Sequence, residues 1–303
     1  MLTYAFALSN LGRSTALSLG QYEYDRAITE ADRKAKDSQL NVAVDFLCRA
    51  SGIYSYVADT VLPEWDASYK GDPSGFEKPP ELNREVSGAL AKYVGPYTFH
   101  DSIFMKLPDR MALGDAQSLA IRALLSKAAY DSNVTPGPPL PRSHPSPTLI
   151  AKLHLDCASL YGSALSLVKT SGASKGEVSA DLRRYLTGEG ALHAALARKW
   201  LGVHAGERGG KEKAGDAVGF MMWAKKDLET LKDGGKGINV TRREAKEMKN
   251  RLKERITDEM ESIKVFFKYY KKANETVNLS SLVWSYLPTP NFSGTLPASS
   301  DTS

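Results

Sequence analysis

An all-α fold, an antiparallel array of helices, is what this sequence predicts, on three observations. Apolar residues recur three and four apart over most of the chain, the spacing that gathers them on one helix face. Glycine and proline fall between those runs, where they punctuate them. No segment alternates apolar and polar residues as a half-buried strand does, and there is no Asn-Gly hairpin or βαβ rhythm.

Taken in order, the first helical run covers roughly Leu2 to Ala31. The second, Asp37 to Asp59, places Leu40, Val44, Leu47, Ala50, Tyr54 and Val57 on one face. Further runs cover Pro80 to Val94, Met111 to Tyr130, Pro147 to Val168, Val178 to Val203, Ala214 to Leu231 and Thr241 to Lys272. Pro63, Gly71, Pro73, Gly95, Pro96, Pro108, Gly172, Gly206 to Gly210 and Gly234 to Gly237 separate them. Short links between helices make an array that stacks as a bundle or solenoid. Val134 to Pro147 holds six of the fifteen prolines and is expected to be an extended, exposed connector within a helical domain spanning 1–287. The Ser/Thr/Pro-rich tail, 288–303, is expected to be disordered.

Composition sets the outer bounds. With 303 residues, 42% apolar and 25% charged, the chain can bury a core, which excludes a disordered chain, a collagen and a coiled-coil rod. No run approaches about 18 uninterrupted apolar residues, so no spanning helix is expected. The apolar start lacks a basic n-region and is broken at Asn10 and Arg13, which argues against a signal peptide. Cys48 and Cys157 read as two buried thiols in a reducing cytosol. Five sequons (Asn133, Asn239, Asn274, Asn278, Asn291) read as chance without an export signal. The net charge of +5 divides into −2 for residues 1–150 (15 basic, 17 acidic) and +7 for the rest (25 against 18). That bias suits an anionic surface or an acidic peptide and is too weak to argue nucleic acid.

Catalytic constellations are hard to find. The five histidines are scattered, with no HxxxH or HExxH pair, so no metal site is expected. Gly206 to Glu212 superficially resembles a phosphate loop but has Glu212 where Ser or Thr would bind magnesium. No nucleophile elbow and no aspartate-rich metal motif is present, which weighs against a hydrolase and against a terpenoid-synthase-like enzyme. No catalytic residue, cofactor or metal ligand is therefore assigned. The last helix carries Ala245, Met248, Leu252, Ile256, Met260, Ile263, Phe267 and Tyr270 at helical spacing, flanked by Lys and Arg. It reads either as a packed array helix or as a basic amphipathic helix touching a membrane surface.

Four places carry a family resemblance. They are Arg49-Ala-Ser-Gly-Ile-Tyr54 with Thr60-Val-Leu62; Ala116-Gln117 running on to Lys127-Ala128; Leu149-Ile-Ala-Lys-Leu153 with Ala158, Ser159 and Tyr161; and Asn274-Glu-Thr-Val277. In this order they resemble the BRO domain, the boomerang-shaped, TPR-like helical domain of Alix and its fungal relatives. Trp200-Leu-Gly-Val-His204 and Lys225-Lys-Asp-Leu-Glu229 are similar to the fungal branch that regulates ambient-pH signalling. The N-terminal β-sheet portion of the family domain has no counterpart here.

The resemblance implies a scaffold that bridges plasma-membrane pH-sensing complexes to ESCRT-III. A hydrophobic pocket would receive the C-terminal amphipathic helix of the ESCRT-III core subunit. It implies a cytoplasmic protein recruited to the cell cortex or to endosomes; an endosomal-sorting adaptor is the alternative. By motif match Leu149 and Leu153 take the aliphatic pocket positions, and the aromatic position falls on Ala120 with Ile121 beside it. The residues themselves show two stripes on this helix. One is Ile150, His154, Cys157, Tyr161, Ala164 and Val168; the other is Leu149, Leu153, Leu160 and Leu167. Either both are core, or the second faces a partner.

Overall fold

A computed structural model of the chain describes residues 1–25, 27–64, 103–132, 137–170, 180–234 and 243–277. Among them are seven long helices and no strand: α1 (Leu2–Ser18), α2 (Glu30–Tyr56), α3 (Ile103–Ser132), α4 (Pro147–Thr170), α5 (Ala180–Arg208), α6 (Ala214–Gly234) and α7 (Arg243–Val277). The all-α array expected from periodicity is what the structure shows. The expected run Pro80 to Val94 and the tail 288–303 lie outside the described residues.

Helix ends follow local chemistry. The expected single run from Leu2 to Ala31 is two helices, because Gly20 takes φ +58 just after α1 and a 3-10 turn, Tyr22–Tyr24, follows. Thr29 then caps α2: its hydroxyl oxygen accepts the Asp32 N–H at 3.1 Å and its O–H donates to the Asp32 carboxylate at 2.7 Å. At its far end α2 loosens into a π turn, Val57–Val61. Pro108, expected as a breaker, lies inside α3 near its start. As the sixth residue it lies just past the first turn and removes one ladder bond, the one to the Phe104 carbonyl, while the rest of the helix keeps its own.

Contacts between helices set their directions. Phe6 meets Tyr54 edge-on at 5.3 Å, and Gly12 lies where a Cβ would come 2.9 Å from the Ala43 carbonyl oxygen, so α1 and α2 are antiparallel and closely crossed. Ser51 donates to Asp109 at 2.5 Å and Arg33 to Ser126 at 3.3 Å, which runs α3 back along α2. Gln117 donates to the Leu153 carbonyl at 2.9 Å and Cys157 to the Gly114 carbonyl at 3.3 Å, reversing direction again at α4. His154 meets His193, and Tyr161 meets Tyr185, across α4 and α5. Arg198 pairs with Asp227 across α5 and α6. Glu189 with Arg255, and Glu207 with Tyr270, hold α7 parallel to α5. Each helix therefore packs on its chain neighbour, and α7 also reaches back past α6 to α5.

The main core lies among α3 to α7, around Ile150, Tyr161, Leu186, Leu192, Trp200, Met221, Ile256 and Phe266. A second cluster joins α1, α2 and the start of α3 through Leu2, Leu8, Tyr54 and Met105. In α7 the expected stripe is largely core: Ile256, Ile263 and Tyr270 are buried, whereas Met248 is exposed.

Two further expectations are corrected. The described part of the Pro-rich connector is half-buried, not a free strap. Leu140 packs on the main core, its N–H donates to Glu207 at 3.4 Å, and the His144 ring lies 5.0 Å from that of Trp200. Prolines forbid a helix, but their neighbours still bring apolar surface that α5 can cover. Cys157 is buried as expected, but Cys48 is exposed; α2 turns it away from the face that carries Leu40 and Leu47.

Candidate partner-binding site

Helix α4 positions the candidate residues. Its first stripe is buried throughout: Ile150, His154, Cys157, Tyr161, Ala164 and Val168 are all in the core. Its second stripe is graded. Leu149 is 45% exposed, Leu153 is half-buried against the main core, Leu160 is buried and Leu167 half-buried. The stripe is most exposed at its N-terminal end, at Leu149.

The hydrogen bond from Gln117 to the Leu153 carbonyl places the Ala120 turn of α3 beside the Leu149 turn of α4. Ala120 is exposed, while Ile121 is buried in the main core. Adjacent positions point about 100° apart, so one can face solvent while the other faces the core. The structure adds Leu124, one turn beyond Ala120 and 39% exposed, which sequence reasoning missed. An exposed leucine in an apolar run looks like core until its neighbours are known. Toward the other end of the same helix pair lies an open hollow lined by Lys106, Arg110, Ser159, Gly162, Ser163 and Leu167.

Below this surface is a buried polar spine that sequence did not reveal. The Asp115 carboxylate accepts from Tyr161 OH and Tyr185 OH, each at 2.6 Å, and from Arg13 Nε at 2.7 Å. Burial and the Asp115 charge both push the two phenols well above their ordinary range, so they stay protonated donors. Glu189 takes both carboxylate oxygens to Arg255 at 2.9 Å, and Lys199 reaches Glu259 at 2.6 Å. The histidines are not all scattered. His154 Nδ1 lies 2.8 Å from His193 Nδ1, and the His193 ring stacks on Tyr161 at 5.8 Å. Among the described residues no group of three or more His, Cys, Asp or Glu side chains is arranged to hold a metal. No helix among them is long and apolar enough to cross a membrane.

These features define a helical-array protein whose polar interior ties five helices and whose α3–α4 seam leaves leucines in solvent. The chain is 34% identical to the pH-response regulator protein palC of Cryptococcus neoformans var. neoformans serotype D (strain B-3501A), across 91% of this chain and 62% of that protein. It is a palC-like chain and spans about three-fifths of that relative's length. No family model matches the chain, and no solved structure does.

Proposed function

We propose that this chain is a non-catalytic adaptor of the BRO-domain kind in the response to alkaline ambient pH. It binds the C-terminal amphipathic helix of the ESCRT-III core subunit along the α3–α4 seam and links it to plasma-membrane pH-sensing complexes. The observation that carries this reading is that Leu124 of α3 and Leu149 of α4, on adjacent helices, are both exposed, in a chain similar to a pH-response regulator. Leucines left in water on two adjacent helices offer a partner helix apolar area to cover. Without an aromatic anchor at Ala120 the affinity should be modest. The helix peptide, titrated into the whole chain by fluorescence anisotropy, is expected to saturate in the micromolar range. No saturation up to millimolar peptide removes this partner.

The alternative is an endosomal-sorting adaptor that uses the same seam. A tagged protein that moves to cortical puncta after an alkaline shift supports signalling; late-endosomal puncta independent of pH support sorting.

The last turns of α7 add a membrane contact to this reading. Val265 and Tyr269 are 45% and 49% exposed, one turn apart, between the exposed Lys264, Lys268, Lys271 and Lys272. An apolar pair flanked by lysines suits an anionic bilayer surface, at about 1 kcal/mol per well-placed lysine. Vesicles containing phosphatidylserine are expected to sediment the protein and phosphatidylcholine vesicles to leave it in solution. Changing Lys268 and Lys272 to Glu should release it; equal sedimentation by both vesicles would remove this contact.

A further inference from the structure

We propose that the His154–His193 pair is an acid-sensitive latch, which holds α4 on α5 while both imidazoles are neutral and loosens when the pair takes up a proton. An Nδ1 to Nδ1 bond of 2.8 Å needs one ring to donate and the other to accept. The Nε2 of His193 is buried without a hydrogen-bond partner and lies 3.9 Å from the Glu189 carboxylate. The arrangement that suits both ends has His154 Nδ1–H donating and His193 carrying its proton on Nε2, toward Glu189. A proton added to His193 Nδ1 then sets two N–H groups against each other.

The surroundings oppose the added charge as well. The charge of Arg255, from α7, acts against protonation of both rings, and that of Lys199, from α5, against protonation of His154. The nearby carboxylates are already engaged: Glu189 by Arg255, Glu259 by Lys199, and Asp115 of α3 by Arg13, Tyr161 and Tyr185. Tyr161 of α4, stacked on His193, offers its hydroxyl to Asp115 and not to the ring. Burial, with Lys199 and Arg255, pushes His154 down to about 3, and burial with His154 and Arg255 pushes His193 well below its ordinary value.

The sign follows from linkage. Both groups are depressed in the folded chain and titrate near 6.5 when it unfolds, so the unfolded chain binds more protons below that pH. Stability from the pair is therefore full above about pH 7 and is lost as pH falls below about 6.5. Leu149 and Leu153 share α4 with His154, so the latch would make partner binding a property of the neutral to alkaline protein. That consequence rests on the function proposed above; the latch itself does not.

The test compares the wild-type chain with H154Q/H193Q, in which two neutral amides replace the imidazoles. Urea unfolding is followed by circular dichroism at pH 7 and pH 5.5. From pH 7 to 5.5 the wild-type unfolding constant is expected to rise about 70-fold more than that of the variant. The comparison removes the part due to His144 and His204, which burial also holds down. Equal pH dependence in the two proteins overturns the latch. Histidine-ring NMR of the wild type decides the matter if the variant does not fold. Both rings are expected to stay neutral until folded signals disappear, and either ring charging near pH 6.5 in an intact fold overturns the proposal. Peptide titration at pH 7.5 separates the two readings: its failure removes the partner, while the unfolding data still decide the latch.

Discussion

Asp115→Ala is expected to cost the fold about 3 kcal/mol in chemical denaturation. Its side chain is only 10% exposed and accepts three hydrogen bonds, from Arg13, Tyr161 and Tyr185. Truncation leaves the buried Tyr161 phenol and the half-buried Tyr185 phenol without an acceptor, at about 1–3 kcal/mol for a fully stranded group and less for Tyr185. The Arg13 share is smaller, because that side chain is 36% exposed and can turn to water. Asp115→Asn keeps one acceptor oxygen and should recover part of the loss. Alanine within 1 kcal/mol of wild type would mean that the spine contributes little, and that apolar packing alone holds α3 to α4 and α5.

The second large effect is on binding, and the structure divides what sequence would treat as a pair. Leu149→Asp places a charge where the side chain is 45% exposed, so folding should change by no more than about 0.5 kcal/mol. In the complex the same change forfeits about 1.5–3 kcal/mol of apolar burial and desolvates a carboxylate. The peptide's Kd is expected to rise more than about 100-fold. Leu153→Asp differs, because Leu153 packs against the main core and its loss should lower stability by about 2–4 kcal/mol. Circular dichroism and anisotropy on the two single variants separate the effects. Wild-type affinity in a folded Leu149→Asp protein would remove α4 from the binding site.

Much of the fold was legible because helical packing writes itself into spacing. The buried stripe from Ile150 to Val168 was readable residue by residue, since each position must face α3 or α5. The break after α1 was harder to see, because a lone Gly20 in an apolar run carries no mark of its left-handed φ. Pro108 misled for the opposite reason: one lost ladder bond early in a 30-residue helix does not end it, and where α3 starts cannot be read from the proline. The connector misled because proline excludes helix without excluding burial, as Leu140 shows.

The candidate site was half legible. Sequence placed Leu149 and Leu153 on one stripe but could not grade them, since exposure depends on where α3 ends up beside α4. Leu124 and Ile121, three residues apart on α3, differ only in what lies opposite, and the structure exposes one and buries the other.

What the sequence determined by itself is therefore the helical class, the order of the helices and the faces they must cover, because period and punctuation are local properties of the chain. The tertiary structure alone decided which polar groups meet. Arg13 and Asp115 are 102 residues apart and His154 and His193 are 39 apart, and no spacing rule joins them. They meet because each helix reverses on the one before it, which brings distant turns to the same level of the array. Burial there then excludes water, and each charged or polar group has only its neighbours to answer it.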